Sequence, residues 1–216
     1  MTDLASFYRK YPTESKDLTI HGRTFSFVVP KKIDAFIDFD DIVNGFPLWA
    51  KIWEPSWILA GYVAKYPPSR FNKILEIGSG IGVVGIVAAS FGHDVTLTEY
   101  DENALQFASA NAELNNCPDV KICRLDWHRP EIKGRFDTIM GSEVMFHERD
   151  IDPLLNLFRT YLKPKGRILI AAGVRKSVLD SMHRLQRLFN VQISKYSIRG
   201  EGSSMPAVLC HLSPKK

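Results

Sequence analysis

The chain has 216 residues, of which 45% are hydrophobic and 24% are charged, and its formal net charge is +4. These values are typical of a soluble globular protein with one domain and exclude a disordered or fibrous chain. The basic residues are spread along the sequence, so nucleic-acid binding is not indicated. No apolar run approaches the roughly 18 residues of a membrane span, so no membrane attachment is expected.

The cysteines and the N-terminus bear on the compartment. Cys117, Cys123 and Cys210 are an odd number and lack metal-ligand spacing, so we expect free thiols and no metal site. Residues 1–4 show neither the basic nor the apolar region of a signal peptide. The sequence therefore predicts a cytoplasmic protein with reduced cysteines.

Residues 1–45 are predicted to form an N-terminal extension, and residues 46–216 the main domain. A short helix is expected at 7–10. Two strand-like runs, at 18–20 and 24–29, flank a His21-Gly22 turn and predict a hairpin.

Three tryptophans, Trp49, Trp53 and Trp57, follow within nine residues, and Pro55 fits the first turn of a helix ending near residue 65. Trp49 and Trp53 beside a cleft would make the N-terminal layer a lid that excludes water. This hypothesis predicts that a protein lacking residues 1–44 still folds but handles its substrate differently.

A glycine-rich turn is the strongest motif of the chain. Residues 73–77 form a short apolar run typical of a strand buried on both faces. Gly78, Gly80 and Gly82 follow, and an apolar stretch long enough for a buried helix begins at Val83. Because glycine permits sharp turns and a helix N-terminus offers free N–H groups, this segment predicts a ligand cradle.

Two ligands are compatible with the turn. Residues 80–85 read G-x-G-x-x-G, the dinucleotide fingerprint, and Glu99 ends the next strand at the distance expected for a ribose-binding acid. Glu76, however, ends a buried strand and needs a partner. A pyrophosphate would repel it, whereas a ligand with a cationic amino end would not. The pattern favours S-adenosyl-L-methionine as the ligand over the dinucleotide of an oxidoreductase.

The run from Glu76 to Gly82 resembles the first motif of class I (seven-strand) S-adenosylmethionine-dependent methyltransferases. In that family Glu99 would accept the ribose hydroxyls and Tyr100 could stack beside the adenine. Asp126, after a third strand at 120–125, would bond the adenine amine, and Trp127 would pack near the ring. The predicted cofactor residues are Trp53, Glu76, Gly78, Ser79, Gly80, Gly82, Glu99, Tyr100, Asp126 and Trp127.

The predicted fourth strand, residues 135–142, leads into Glu143, Phe146 and His147. Active sites of open α/β sheets lie beyond the carboxyl ends of strands. We predict that Glu143 orients an acceptor amine and stabilises the charge that develops on its nitrogen, and that Phe146 adds a cation–π contact. A strong general base such as His147 is then not required.

Two further segments narrow the resemblance. Residues 48–55 and the Asp126-Trp127 pair are similar to those of protein lysine methyltransferases acting on valosin-containing protein, calmodulin and electron-transfer flavoprotein. That group has Asp-x-x-Tyr or Asp-x-x-Phe where this chain has Glu143 and Phe146. The resemblance implies a protein lysine acceptor and a cofactor contact for Trp53. Alternatives are a small-molecule or nucleic-acid methyltransferase, although the Pro-Pro-Tyr signal of base-amine enzymes is missing, and a non-catalytic cofactor-binding module.

The remaining elements complete an α/β pattern. We predict a helix at 150–162, a turn and fifth strand at 163–172, and a helix that directs Arg175, Lys176, Arg184 and Arg187 outward. Strands at 191–198 and 205–212 would pair across a loop at 199–204. The resemblance implies a Rossmann-like seven-stranded sheet with its last strand antiparallel and helices on both faces. The acceptor, the number of methyl groups and the oligomeric state remain open.

Overall fold

The computed structural model describes residues 3–41, 45–145, 147–200 and 203–215. Its N-terminal layer consists of helix α1 (Leu4–Lys10) and an antiparallel hairpin of strands β1 (Thr13–Ile20) and β2 (Arg23–Pro30). The predicted hairpin is confirmed, with longer strands than the sequence indicated.

The main sheet is built from seven strands within the described ranges. They are β3 (Lys73–Ile77), β4 (Asp94–Glu99), β5 (Lys121–Arg124), β6 (Phe136–Ser142), β7 (Leu162–Gly173), β8 (Phe189–Gly200) and β9 (Ser203–Pro214). Their order is β5-β4-β3-β6-β7-β9-β8, and β9 is antiparallel to both of its neighbours. The predicted Rossmann-like sheet is therefore confirmed.

In the described part of the chain, five α-helices accompany the sheet: α2 (Glu54–Ala64), α3 (Val83–Ser90), α4 (Glu102–Leu114), α5 (Ile151–Tyr161) and α6 (Lys176–Leu188). The strands distribute their side chains between two hydrophobic clusters, because successive residues of a strand point to opposite faces. In β7, Leu169 and Ala171 join the cluster that contains α2, α3 and α4 residues. Ile168 and Ile170 join the cluster that contains α5 and α6 residues. None of the helices in the described ranges is long and apolar enough to cross a bilayer.

The N-terminal layer shares the hydrophobic core of the sheet. Phe27 is fully buried in the same cluster as α3. Asn111 of α4 is also buried; its side chain accepts a 2.7 Å hydrogen bond from the Val28 N–H and donates a 3.1 Å bond to the Val28 carbonyl. A protein without residues 1–44 would expose this apolar surface, so the expectation that it folds unaided is not supported. The boundary at residue 45 remains a prediction.

The C-terminal pair corrects one boundary. The glycines and serines of residues 199–204 predict a loop, of which residues 201 and 202 lie outside the described residues. Instead, β8 and β9 pair as far as Arg199 with Ser204 and Gly200 with Ser203. Backbone pairing needs no particular side chain, so it continues through a composition that otherwise indicates a loop.

Candidate functional site

A cavity of about 680 Å³ opens at the carboxyl ends of the central strands. This volume lies in the range of small-molecule and cofactor sites, about 300–1,000 Å³. The wall contains Glu143 and all the predicted cofactor residues except Gly82, namely Trp53, Glu76, Gly78, Ser79, Gly80, Glu99, Tyr100, Asp126 and Trp127.

The glycine-rich turn forms the floor of this cavity. Gly78 and Gly80 have φ angles of +58° and +54°, a conformation that disfavours any residue with a Cβ atom. A Cβ at Gly78 would lie 3.0 Å from the Trp127 ring, and one at Gly80 would lie 3.4 Å from the Trp49 carbonyl oxygen. The missing side chains therefore let two neighbouring segments approach the turn.

Gly82 has a different role from the other two glycines. Its φ angle is +91°, and a Cβ there would lie 2.8 Å from the Ile86 side chain and 3.2 Å from that of Leu97. Gly82 thus permits close packing between α3 and the sheet. It does not contribute to the cavity wall.

Glu76 is a buried acid below the turn. It is only 2% exposed, and the loss of hydration raises its pKa from 4.5 to about 8. A Cβ at Gly85 would lie 2.2 Å from its Oε2 atom, so glycine on α3 makes room for the carboxyl group. Oε2 has no hydrogen-bond partner among the described residues, and the same holds for the buried hydroxyls of Ser79 and Ser142. Such unsatisfied polar atoms beside a cavity are suited to a polar ligand.

Glu99 is held by the main chain on both carboxylate oxygens. Oε2 accepts a 2.9 Å bond from the Gly80 N–H, and Oε1 accepts bonds of 2.6 Å and 3.3 Å from the N–H groups of Tyr100 and Asp101. Burial raises the pKa of Glu99, while these donors oppose the increase. The carboxylate thereby ties the end of β4 to the glycine turn.

The segment after β5 closes one side of the cavity. Asp126 accepts a 2.8 Å bond from the His128 N–H, and Trp127 lies against Gly78. Tyr100 is 56% exposed, with the Arg124 guanidinium 4.5 Å above its ring. Asp126 and Trp127 thus face the cavity from a fixed turn, whereas Tyr100 stands at its exposed rim.

The tryptophan-rich segment forms a packed wall of the cavity. The Trp53 indole N–H donates a 2.7 Å bond to the Leu48 carbonyl, and the Lys51 ammonium lies 4.8 Å above the Trp53 ring. The Trp49 ring packs between Phe36, at 5.0 Å, and Phe107, at 5.5 Å. Both tryptophans line the cavity, which is the position that the lid hypothesis requires. Trp49 also packs the N-terminal layer against α4.

Glu143 lies at the carboxyl end of β6, as predicted, in an unusual conformation. Its φ angle is +57°, which is uncommon for a residue with a side chain. Its N–H donates a 2.9 Å bond to the Ala171 carbonyl, and its Oε1 atom accepts a 2.6 Å bond from the Gly173 N–H. These bonds fix the carboxylate between β6 and β7.

Arg175 lies behind the cavity wall and contacts Glu143, which the sequence analysis did not predict. Its Nη1 atom lies 2.5 Å from Oε2 of Glu143, and the two side chains are 29% and 9% exposed. The prediction that Arg175 points outward with the basic residues of α6 was wrong. Phe146 lies outside the described residues, and His147 lines the cavity. The described residues contain no cluster of three potential metal ligands.

The residues present fit S-adenosyl-L-methionine. The glycine turn lets Trp127 and Trp49 approach the cradle, and the unpartnered Glu76 oxygen, when ionised, would attract a cationic amino group and repel a pyrophosphate. Glu99 retains lone pairs for further donors. Glu76 thus favours S-adenosyl-L-methionine over a dinucleotide on electrostatic grounds.

The chain is similar in sequence to several proteins that are named as protein methyltransferases. The chain is 30% identical over 131 residues to "EEF1A lysine methyltransferase 3" of Mus musculus, covering 58% of this chain and 56% of the relative. It is 30% identical over 156 residues to "Protein N-lysine methyltransferase METTL21A" of Mus musculus, covering 68% and 71%. It is 31% identical over 116 residues to "Histone-arginine methyltransferase METTL23" of Rattus norvegicus, covering 48% and 49%. The match therefore spans about half of the first and third relatives.

A solved structure shares the fold. The Pyrococcus abyssi tRNA (uracil-54, C5)-methyltransferase in complex with S-adenosyl-L-homocysteine superposes with a TM-score of 0.61 at 18% identity, covering 94% of this chain and 45% of that chain. A family model described as lysine methyltransferase matches residues 40–188, more than half of the sequence. The chain therefore belongs to the lysine methyltransferase family.

Proposed function

We propose that this protein transfers the methyl group of S-adenosyl-L-methionine to the side-chain amine of a lysine in a protein. The observation that carries the proposal is the position of Glu143. Its carboxylate lies on the same cavity as the glycine turn, at the carboxyl end of the next strand in the sheet. The named relatives that act on protein lysines support this choice of acceptor.

The resemblance to class I methyltransferases implies a role for four of the cavity residues. Glu99 would accept the ribose hydroxyls, and Glu76 would balance the amino end. Asp126 and Trp127 would hold the adenine from the turn after β5. When bound, the cofactor supplies a methyl group on a positively charged sulfur, which an uncharged nucleophile can accept.

The part of the cavity around Glu143, here called the acceptor half, would prepare an amine for attack. A free lysine has a pKa near 10.4 and is mostly charged at neutral pH, yet only its neutral form is nucleophilic. A nearby positive charge lowers that pKa. The carboxylate of Glu143, fixed by the N–H of Gly173, is suited to orienting the amine and stabilising the charge that develops on nitrogen. Water can then take the proton before the attack.

Arginine is the second candidate acceptor, because one relative is named a histone-arginine methyltransferase. A guanidinium is best held by a carboxylate with two free oxygens. In Glu143, Oε1 is bonded to the Gly173 N–H and Oε2 faces the guanidinium of Arg175. An arginine substrate would have to compete for the position that Arg175 occupies, so lysine is favoured.

The experiment is a labelling assay in which cell extract is incubated with the purified protein and isotopically methyl-labelled cofactor. The proteins are then hydrolysed and their methylated amino acids separated. We expect label in methyl-lysine. Label in methyl-arginine would support the second candidate, while label in nucleic acid or in small molecules would contradict both.

A non-catalytic binding role predicts no label at all with intact cofactor binding, which calorimetry would detect.

Cytoplasmic localisation also stays a proposal. The three cysteines are free thiols, and a reducing compartment accommodates them. Imaging of the tagged full chain would test that assignment.

A further inference from the structure

The acceptor carboxylate has a cation beside it that comes from a different element. Arg175 precedes α6, and its extended backbone, with φ of −150° and ψ of 164°, is outside the helical repeat. We infer that Arg175 is a positioning residue of the acceptor site, which holds Glu143 in place and balances its charge. This inference rests on the proposed function and assigns to Arg175 an effect on the position and charge of the acceptor-site carboxylate.

The geometry shows how one segment holds Glu143. Glu143 is contacted by groups of Ala171, Gly173 and Arg175, which follow one another at alternate positions of the chain. The end of β7 and its extended continuation therefore supply a carbonyl, an N–H and a guanidinium to Glu143. These contacts sustain the φ angle of +57°, which would otherwise be unfavourable for a glutamate.

The charge of Arg175 has a chemical consequence. A carboxylate near an ammonium group raises its pKa by about 1–3 units, so an unbalanced Glu143 would keep the acceptor amine protonated. Arg175 offsets that effect while leaving the oxygens of Glu143 in position. Arg175 therefore increases the fraction of acceptor amine that is neutral and able to attack.

Besides Glu143, the described cavity wall carries charged or titratable groups of both signs from several elements, and these are the same in wild type and in an Arg175 variant: Asp38, Lys51, Glu76, Glu99, Tyr100, Asp101, Asp126, His128, His147, Arg149 and Asp150. A shift of the pH profile between wild type and an Arg175 variant thus reports on the pair itself.

The test measures methyl transfer from tritium-labelled cofactor to the extract fraction that the wild type methylates, between pH 6 and pH 10. We expect Arg175→Ala to shift the profile upward by about one unit, which lowers the rate at neutral pH about tenfold. Arg175→Lys should recover part of the rate because a charge remains. Affinity for S-adenosyl-L-homocysteine should stay within about twofold, since Arg175 acts on the acceptor half.

Chemical rescue separates charge balance from a general structural effect. Millimolar guanidinium chloride should restore Arg175→Ala, whereas urea, which has a similar shape without charge, should not. In a Glu143→Gln background, removal of Arg175 should have little further effect, since the carboxylate it balances is gone.

An unchanged pH profile in an active Arg175→Ala protein, or equal rescue by urea, would overturn this inference alone. A wild type that binds S-adenosyl-L-homocysteine but labels no lysine would overturn the proposed function, and the role of Arg175 with it.

Discussion

The two halves of the cavity are held in place by different means. In the cofactor half, three backbone N–H groups fix Glu99, and a backbone turn of glycines forms the floor. In the half proposed for the acceptor, the carboxylate of Glu143 is held by one backbone N–H and by the side chain of Arg175. The first arrangement depends on backbone conformations that favour glycine, whereas the pair of side chains can be altered by one substitution.

The largest expected effect comes from breaking the acceptor half alone. Glu143→Ala should lower methyl transfer about 100- to 1,000-fold, the cost of losing a preorganised group that stabilises transition-state charge. Affinity for S-adenosyl-L-homocysteine, measured by calorimetry, should stay within about twofold. Glu143→Gln is the matched control, because it keeps the shape but removes the charge, and it should also be slow. Joint loss of cofactor binding and activity would contradict a separate acceptor half.

The second prediction uses the buried acid of the cofactor half. The pKa of Glu76 is raised from 4.5 to about 8, so between these values the folded state binds more protons than the unfolded state. The free energy of unfolding should therefore fall as pH rises through this window. From pH 5.5 to pH 8, the wild type should lose about 3 kcal/mol relative to Glu76→Gln, at about 1.36 kcal/mol per unit.

Urea unfolding of both proteins at the two pH values checks this prediction. Saturating S-adenosyl-L-homocysteine at pH 8 should reduce the difference, because its amino group supplies the partner that the charged carboxylate lacks. Parallel pH dependence of wild type and Glu76→Gln would show that Glu76 is not a buried, titrating acid.

A substitution of Glu99, in the cofactor half, should lower the affinity for the cofactor, which Glu143→Ala should leave nearly unchanged. Glu99→Ala should weaken the binding of S-adenosyl-L-homocysteine by about 1.5–3 kcal/mol, the range for hydrogen bonds to a charged group. Glu102→Ala is the control, because Glu102 is an exposed acid on the adjacent helix that pairs with Arg124. Its affinity should be unchanged. Similar losses in both variants would indicate a general charge effect.

The smallest effect concerns the packing beneath the cofactor half. A Cβ at Gly85 would lie 2.5 Å from Cγ of Leu97, whereas one at Gly61 would meet only Ile20, at 4.0 Å. Both glycines lie inside helices. Gly85→Ala should cost about 1–3 kcal/mol of stability through overpacking, and Gly61→Ala should be neutral or stabilising by up to about 1 kcal/mol. Thermal unfolding distinguishes them, and equal midpoints would refute the tight contact.

The cofactor half could be predicted because its signals are local. Glu76 and the glycines are adjacent in sequence, Glu99 ends β4 and Asp126 follows β5, so topology alone brings them together. Gly82 is the exception among the predicted cofactor residues. It packs against Ile86 and Leu97, and the glycine motif does not distinguish a packing role from a place on the cavity wall.

The acceptor half could be predicted only in part. Glu143 follows a strand, so its position on the cavity could be predicted, while its role toward the acceptor stays a prediction. Arg175 was assigned to the exposed face of α6, because helical periodicity was extended one residue too far. Its extended backbone places it on the continuation of β7 instead. A pair of residues 32 positions apart leaves no periodic signal, although the position of Arg175 just after a strand end was a usable hint.

The central claim is that one cavity has two separable halves, and a single binding measurement tests it directly. An adenosine analogue extended by an aminoalkyl chain that imitates lysine would occupy both halves, while S-adenosyl-L-homocysteine occupies one. Calorimetry should show that Glu99→Ala weakens both ligands equally, whereas Glu143→Ala weakens only the extended analogue. If Glu143→Ala weakens both ligands alike, or neither, the division of the cavity into a cofactor half and an acceptor half is wrong.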